Sequence, residues 1–147
     1  MIEDHLKLYK SLNKHKVKYL IIGGVAAIIY GVPRTTLDID IFIEPTLRNA
    51  EKLLGALKDS GFGTASLTSP SKILDNEITI FEDYIRLDVF TKVKGMAFDK
   101  AWERQRVKKM MSVPIKFASL KDIISSKKAS KRRIDKEDLA LLKQLQD

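Results

Sequence analysis

The chain has 147 residues, with 27 Lys and Arg against 19 Asp and Glu, a formal net charge of +8 and no cysteine. This length predicts a single domain, 1–147, able to bury roughly 68–70% of its unfolded surface without covalent staples. The absence of cysteine excludes disulfides, cysteine nucleophiles and thiolate zinc sites.

No apolar run reaches the roughly 20 residues of a membrane span, and the charged N-terminus is unlike a signal peptide. We therefore expect a cytoplasmic protein with no membrane partner. The positive charge favours a polyanionic partner such as nucleic acid or nucleotide phosphates. A lysine-rich surface that serves solubility is an equally good explanation of the charge alone.

The first half of the chain alternates helix and strand signals. The apolar spacing predicts a helix over 3–15, a strand over 17–22, a short helix over 24–30 and a strand over 38–43. Thr46 is a candidate N-cap for a helix over 47–59. Residues 63–76 are rich in Ser and Thr, which predicts a weak strand and a mobile loop around Pro70.

The second half predicts hairpins and closing helices. The segments are a hairpin of 77–81 with 84–90, a helix over 98–105, a hairpin of 107–111 with 113–117, and helices over 120–130 and 135–146. This succession predicts an α/β (α+β) fold, in which helices flank a mixed sheet. The core would span about 17–117, with a helical tail over about 119–147.

Carboxylates stand inside two of the apolar strands. Asp38 and Asp40 are two residues apart, so on a strand they point to one face. Burying two like charges is costly unless a cation compensates them, and Mg²⁺ prefers such oxygen ligands. If the strand that carries Asp88 lies beside them, three carboxylates would hold two metal ions for an in-line phosphoryl displacement. The alternative is that these aspartates cap strand ends or pair with Arg34 and Arg86.

A glycine pair precedes the first two carboxylates. Gly23 and Gly24 let the backbone approach a ligand closely, and the helix that follows offers unpaired amides to a phosphate. Arg34 lies just before the Asp-Ile-Asp strand. There it would either reach a triphosphate or form a salt bridge with Asp38 or Asp40.

Together these residues resemble the DNA polymerase β-type nucleotidyltransferases. The resemblance consists of Ile22-Gly23-Gly24, then Asp38-Ile39-Asp40, then Asp88. The string from Arg34 to Asp40 is similar to the small AbiEii-like and MNT-like group, and so is the tail from Leu120 to Lys127 with Arg132, Asp135 and Asp138. Gly24 departs from the pattern, because many relatives carry a phosphate-binding Ser there. The chain is also shorter than many AbiEii-type proteins.

The resemblance implies transfer of a nucleoside monophosphate from an NTP to an acceptor hydroxyl, with release of pyrophosphate. It implies two Mg²⁺ ions, replaceable by Mn²⁺, held by Asp38, Asp40 and Asp88, with Asp88 also as the base for the acceptor. The implied acceptor is an RNA or tRNA end or a protein, and a cognate toxin or antitoxin is a further implied partner. The implied nucleotide-binding residues are Gly23, Gly24, Arg34, Thr36, Lys127 and Arg132.

Other hypotheses stay open beside this one. The chain is alternatively a non-catalytic nucleotide-binding or toxin–antitoxin interaction module, or a plain nucleic-acid-binding domain whose affinity falls with salt. In the tail, Lys128, Lys131 and Arg133 are interpreted as a solvated helix end. Asp135 and Asp138 are interpreted as the N-cap and N3 residues of the last helix.

Overall fold

A computed structural model describes residues 2–33 and 35–146 of the chain. Six strands lie in the described part: β1 (Tyr19–Ile22), β2 (Ile39–Ile43), β3 (Ile78–Glu82), β4 (Arg86–Phe90), β5 (Arg106–Met110) and β6 (Val113–Phe117). They form one sheet in the order β3-β4-β2-β1-β6-β5. The β1–β6 and β2–β4 pairs are parallel, and the other three pairs are antiparallel. The predicted mixed sheet in a single α+β domain is confirmed.

Seven α-helices flank this sheet within the described residues: α1 (Ile2–Lys14), α2 (Gly23–Ile29), α3 (Leu47–Asp59), α4 (Pro70–Asp75), α5 (Phe98–Glu103), α6 (Leu120–Lys128) and α7 (Arg133–Gln146). The predicted cap is confirmed, because the Thr46 hydroxyl accepts a hydrogen bond from the Asn49 amide at the start of α3. Among the described helices, none is both long and apolar enough to cross a membrane.

The prediction for residues 63–76 is wrong. The segment forms a 3-10 helix (Gly63–Leu67) and then α4, instead of a strand and a loop. Ser69 caps α4 by accepting a hydrogen bond from the Lys72 amide, and Pro70 occupies the first turn, where its fixed φ suits a helix. Ile73 is fully buried, so tertiary packing holds this short helix in place.

The two faces of the sheet differ in what they carry around β2. Ile39, Ile41 and Ile43 are fully buried on one face. Asp40 and Phe42 point to the other, as the alternation of a strand requires. Phe42 is covered by Phe98 of α5, with ring centroids 5.2 Å apart. Asp40 is left at the border between this covered region and an open part of the same face.

Candidate active site

The two strand carboxylates lie side by side. β2 and β4 are parallel neighbours, with Asp40 directly opposite Asp88. Asp38 is exposed and immediately precedes β2. All three carboxylates line a cleft of about 630 Å³, bounded by the sheet and by residues of α6 and α7. The condition that the strand of Asp88 lies beside that of Asp40 is therefore met.

The turn from β1 into α2 is built against Asp40. Gly23 has a φ of +67°, a backbone conformation that side-chain-bearing residues rarely adopt. A Cβ atom at this position would lie 2.0 Å from Oδ2 of Asp40. Glycine is required here for both reasons, and its backbone lines the cleft beside the carboxylate. Gly24 is buried within α2.

Among the described residues, the groups around Asp40 together disfavour its ionised form. Burial is the largest cause that raises its pKa, and the neighbouring Asp88 and Asp38 raise it further, to about 6. Arg132 and Lys127 act in the opposite direction and do not cancel the rise. A cation next to Asp40 would relieve both the burial and the repulsion between carboxylates.

Asp88 already has a cationic partner. Nε of Arg86 donates to Oδ1 of Asp88 at 3.0 Å, and Nη2 of the same guanidinium lies 3.4 Å from Oδ2. The pairing that the sequence offered as an alternative is thus present at Asp88. Within 2–33 and 35–146, no group of three or more His, Asp or Glu side chains is arranged to hold a metal ion.

The carboxylate oxygens of the cleft nevertheless suit a hard divalent cation that binds together with a phosphate group. Mg²⁺ usually takes only one or two protein carboxylates and completes its coordination with substrate phosphates and water. Asp40 provides a carboxylate that needs a cation, and the backbone of Gly23 leaves no side chain between the β1–α2 turn and that carboxylate. Asp88 offers a further carboxylate on the neighbouring strand, where Arg86 competes for its oxygens.

A second charged cluster closes the other wall of the cleft. The ammonium group of Lys127 is buried and lies 3.0 Å from both Asp135 and Asp138. Arg132 donates through Nε to Asp135 at 2.8 Å, while the Ser130 hydroxyl also donates to that carboxylate. We call Lys127, Arg132, Asp135 and Asp138 the tail cluster.

The tail cluster corrects one interpretation from the sequence. α7 begins at Arg133, so Asp135 lies inside its first turn and is not the N-cap. Burial alone would raise the pKa of Asp135, but hydrogen bonds from Arg132, Ser130 and Lys127 outweigh it and lower the pKa to about 2. Asp135 and Asp138 therefore fix Lys127 between α6 and α7.

The remaining predicted nucleotide-binding residues differ in their placement. Lys127 and Arg132 line the cleft. Thr36 is half-buried in the segment before β2. Arg34 lies outside the described residues.

Several cleft residues were not predicted from the sequence. Lys92 and Lys94 line the cleft from the loop after β4. This loop is fixed to α6, because the Ser125 hydroxyl donates to the Gly95 carbonyl at 2.7 Å. Gly95 has a φ of +80°, and a Cβ there would lie 2.6 Å from the Ser125 carbonyl oxygen. The glycine that follows Lys92 and Lys94 was the available signal, but it does not reveal which helix the loop contacts.

The comparisons agree with the geometry at the level of the family. The family described as "Nucleotidyl transferase of unknown function (DUF2204)" matches residues 1–147. No curated protein is similar enough to the chain to count as a match. Because the match extends over the whole chain, the protein belongs to this nucleotidyl transferase family.

Proposed function

We propose that the protein transfers a nucleoside monophosphate from an NTP to an acceptor hydroxyl, with a divalent metal ion held by Asp38, Asp40 and Asp88. The observation that carries the proposal is the position of the Asp40 carboxylate, opposite Asp88 and against the backbone of Gly23 in an open cleft. The family supports an NTP as the substrate. Metal, acceptor and residue roles are our proposal.

In this reaction the acceptor oxygen attacks the α-phosphorus of the NTP. The bond from that phosphorus to the oxygen bridging the β-phosphate breaks, and pyrophosphate leaves. Asp88 takes the proton of the acceptor hydroxyl. Mg²⁺, when bound, neutralises the charge that develops on the phosphate oxygens. Asp38, Asp40 and Asp88 would hold this ion, and Arg132 adds positive charge at the cleft wall.

Thermal unfolding with Mn²⁺ and each NTP tests the proposal first. A ligand that binds only the folded protein stabilises it by about 2.7 kcal/mol at a hundred times its Kd. We expect this stabilisation to need both metal and NTP, and to vanish in Asp38→Asn/Asp40→Asn. The matched control is Asp99→Asn, an exposed aspartate of α5 outside the cleft. A stabilisation that survives in the double variant would contradict the proposed site.

A non-catalytic nucleotide-binding module is the second candidate. The Arg86–Asp88 ion pair favours it, because this pair occupies the carboxylate that catalysis needs. This function predicts metal-dependent stabilisation by NTP but no release of pyrophosphate with RNA or protein acceptors. Pyrophosphate release that is lost in Asp88→Asn would exclude it.

A further inference from the structure

Next to the carboxylates, the sheet exposes an apolar surface. Ile78 and Ile80 of β3 are 47% and 51% exposed, and Phe90 of β4 is half-buried. Ile78 lies opposite Phe90, and Ile80 lies opposite Asp88. Paired residues share a face, so the three apolar side chains lie on the face that carries Asp88. We call Ile78, Ile80 and Phe90 the apolar shelf.

The apolar shelf is open where a neighbouring part of the same face is covered. Phe42, opposite Phe90 on β2, is only 2% exposed because α5 packs on it. Ile78 and Ile80 belong to the edge strand β3 and line the cleft instead. Clustered exposed apolar side chains beside a cleft are typical of a ligand-binding surface.

The strand order determines on which side of the carboxylates the apolar shelf lies. Gly23 follows β1, and the order β3-β4-β2-β1 puts Asp88 and Asp40 between Gly23 and the shelf. An in-line displacement needs the attacking and leaving oxygens on opposite sides of the phosphorus. If the leaving phosphates lie at Gly23, the acceptor comes from the side of the shelf. This step rests on the proposed function.

The charges around the shelf indicate the chemistry of the acceptor. Lys92, Lys94 and Lys131 are exposed and line the same cleft. Glu77 lies 3.9 Å from Lys92, but both side chains are more than 70% exposed, so this ion pair is weak and a phosphate can replace it. An apolar surface with an aromatic ring, next to lysines, suits a nucleobase followed by its backbone phosphates.

We propose that the apolar shelf binds the 3′-terminal nucleoside of a single-stranded nucleic acid acceptor, with Lys92 and Lys94 at its backbone phosphates. The terminal base packs on Ile78, Ile80 and Phe90. This placement brings the 3′-hydroxyl towards Asp88, which faces Ile80 across the β3–β4 pair.

Fluorescence anisotropy with a short 5′-labelled, unstructured RNA and a DNA of the same sequence tests the shelf without NTP. We expect Ile78→Ser/Ile80→Ser to weaken binding about tenfold, since the base would lose the apolar surface that it buries against the two isoleucines. The control is Val107→Ser, because Val107 is a 58% exposed apolar residue of β5, at the opposite edge of the sheet. Thermal unfolding checks that each variant folds.

Two results of the anisotropy measurement would overturn the proposal. The first is equal affinity of the shelf variant and the wild type. The second is wild type that binds neither RNA nor DNA at low salt, which would leave a protein as the acceptor. Binding of one or both nucleic acids that depends on the shelf supports the proposal and identifies the preferred sugar.

Photo-crosslinking locates the 3′ end directly. An RNA with a 3′-terminal 4-thiouridine should crosslink to the tryptic peptides Ile73–Arg86 or Leu87–Lys92, which carry the shelf. Crosslinks confined to other peptides would contradict the proposal. Because no NTP is present, these results do not depend on the proposed transfer reaction. Failure of that reaction appears separately, as an absent response to Mn²⁺ and NTP.

Discussion

The carboxylates on the two walls of the cleft have pKa values that are shifted in opposite directions. In the tail cluster, the buried ammonium of Lys127 has carboxylate partners on two sides, and the pKa of Asp135 falls to about 2. On the sheet, Asp40 faces Asp88, and its pKa rises to about 6. In the first arrangement the hydrogen bonds and cations outweigh burial, whereas in the second the cations of the described residues do not cancel the effects of burial and of Asp88.

Under the proposed function, this difference separates charges that stabilise the fold from charges that bind a ligand. A protein that needed Asp40 only for folding would be more stable with a neutral residue there, because burial and Asp88 both oppose its ionisation. The tail cluster connects α6 to α7 and so fixes the wall opposite the sheet. Carboxylates with a shifted pKa on a rigid support are typical of functional sites.

The largest expected effect comes from removing the central cation of the tail cluster. Lys127→Met would remove the buried ammonium that lies 3.0 Å from both the Asp135 and the Asp138 carboxylates. We expect a loss of about 3–5 kcal/mol in the free energy of unfolding. Urea denaturation at neutral pH measures it.

The control for this experiment is Lys128→Met, because Lys128 is the exposed neighbour in the same helix. Its effect should stay within about 0.5 kcal/mol. If both variants lost equal stability, the ion pairs of Lys127 would not be the support that we infer.

A smaller effect of opposite sign is expected at Asp40. Its pKa rises from 3.8 to about 6 on folding, so its contribution to stability is fully present below pH 3.8 and is lost as the pH rises through 6. Asparagine does not ionise, so Asp40→Asn should stabilise the metal-free protein at pH 8 by up to about 3 kcal/mol. Near pH 4 the difference should disappear.

Urea unfolding of wild type and Asp40→Asn between pH 4 and pH 8 checks this dependence. Divalent ions are removed with a chelator so that only the protein's own charges act. Asp99→Asn serves as the exposed control. Parallel stability curves for wild type and Asp40→Asn would mean that Asp40 is compensated in the folded state, and the contrast between the two walls would fail.

The third prediction concerns the backbone that holds Asp40. Gly23→Ala puts a side chain on a residue with a φ of +67° and a Cβ atom 2.0 Å from Oδ2 of Asp40. The conformation alone costs about 1–2 kcal/mol. We expect that loss of stability together with a weaker response to Mn²⁺ and NTP. Gly63→Ala is the control, because a Cβ atom at Gly63 meets only the Asp83 carboxylate, at 3.9 Å.

The elements that local signals determine were predicted well. The Thr46 cap and the apolar spacing of α3 gave the bounds Leu47–Asp59, which the structure has. The Ser/Thr-rich segment 63–76 was mistaken for a strand and a loop, although Ser69 followed by Pro70 is a helix-start signal. The buried side chain of Ile73, which stabilises this helix, depends on packing that no local pattern reports.

In the candidate site, too, the features that local signals determine were predicted and those that depend on packing were not. The alternation in Asp-Ile-Asp predicted one face for two carboxylates, and the strand order then brought Asp88 to them. The sequence singled out the four residues of the tail cluster but not their contacts. Lys127 and Asp135 lie on different helices, so their contact depends on how α6 packs on α7. Ile78 and Ile80 resemble buried strand residues, but they lie on the open part of one sheet face, whereas Phe81 of the same edge strand is buried on the other.

The smallest effect is expected for a substitution of Arg86, a cation that is paired with one of the sheet carboxylates. Its guanidinium lies 3.0 Å from Asp88 and so balances one of the carboxylates that the proposed metal ion needs. Arg86→Gln removes this competitor, and Mn²⁺ should then bind more tightly, by a few-fold, because the ion pair is partly exposed. Calorimetric titration with Mn²⁺ measures the change, and Arg106→Gln, on the distant edge strand β5, is the control.

Weaker binding of Mn²⁺ in Arg86→Gln would show that Arg86 positions Asp88 for the metal ion and does not compete with it. Unchanged binding would mean that Asp88 is not a ligand of the metal ion, and the cation would then belong to Asp38 and Asp40 alone.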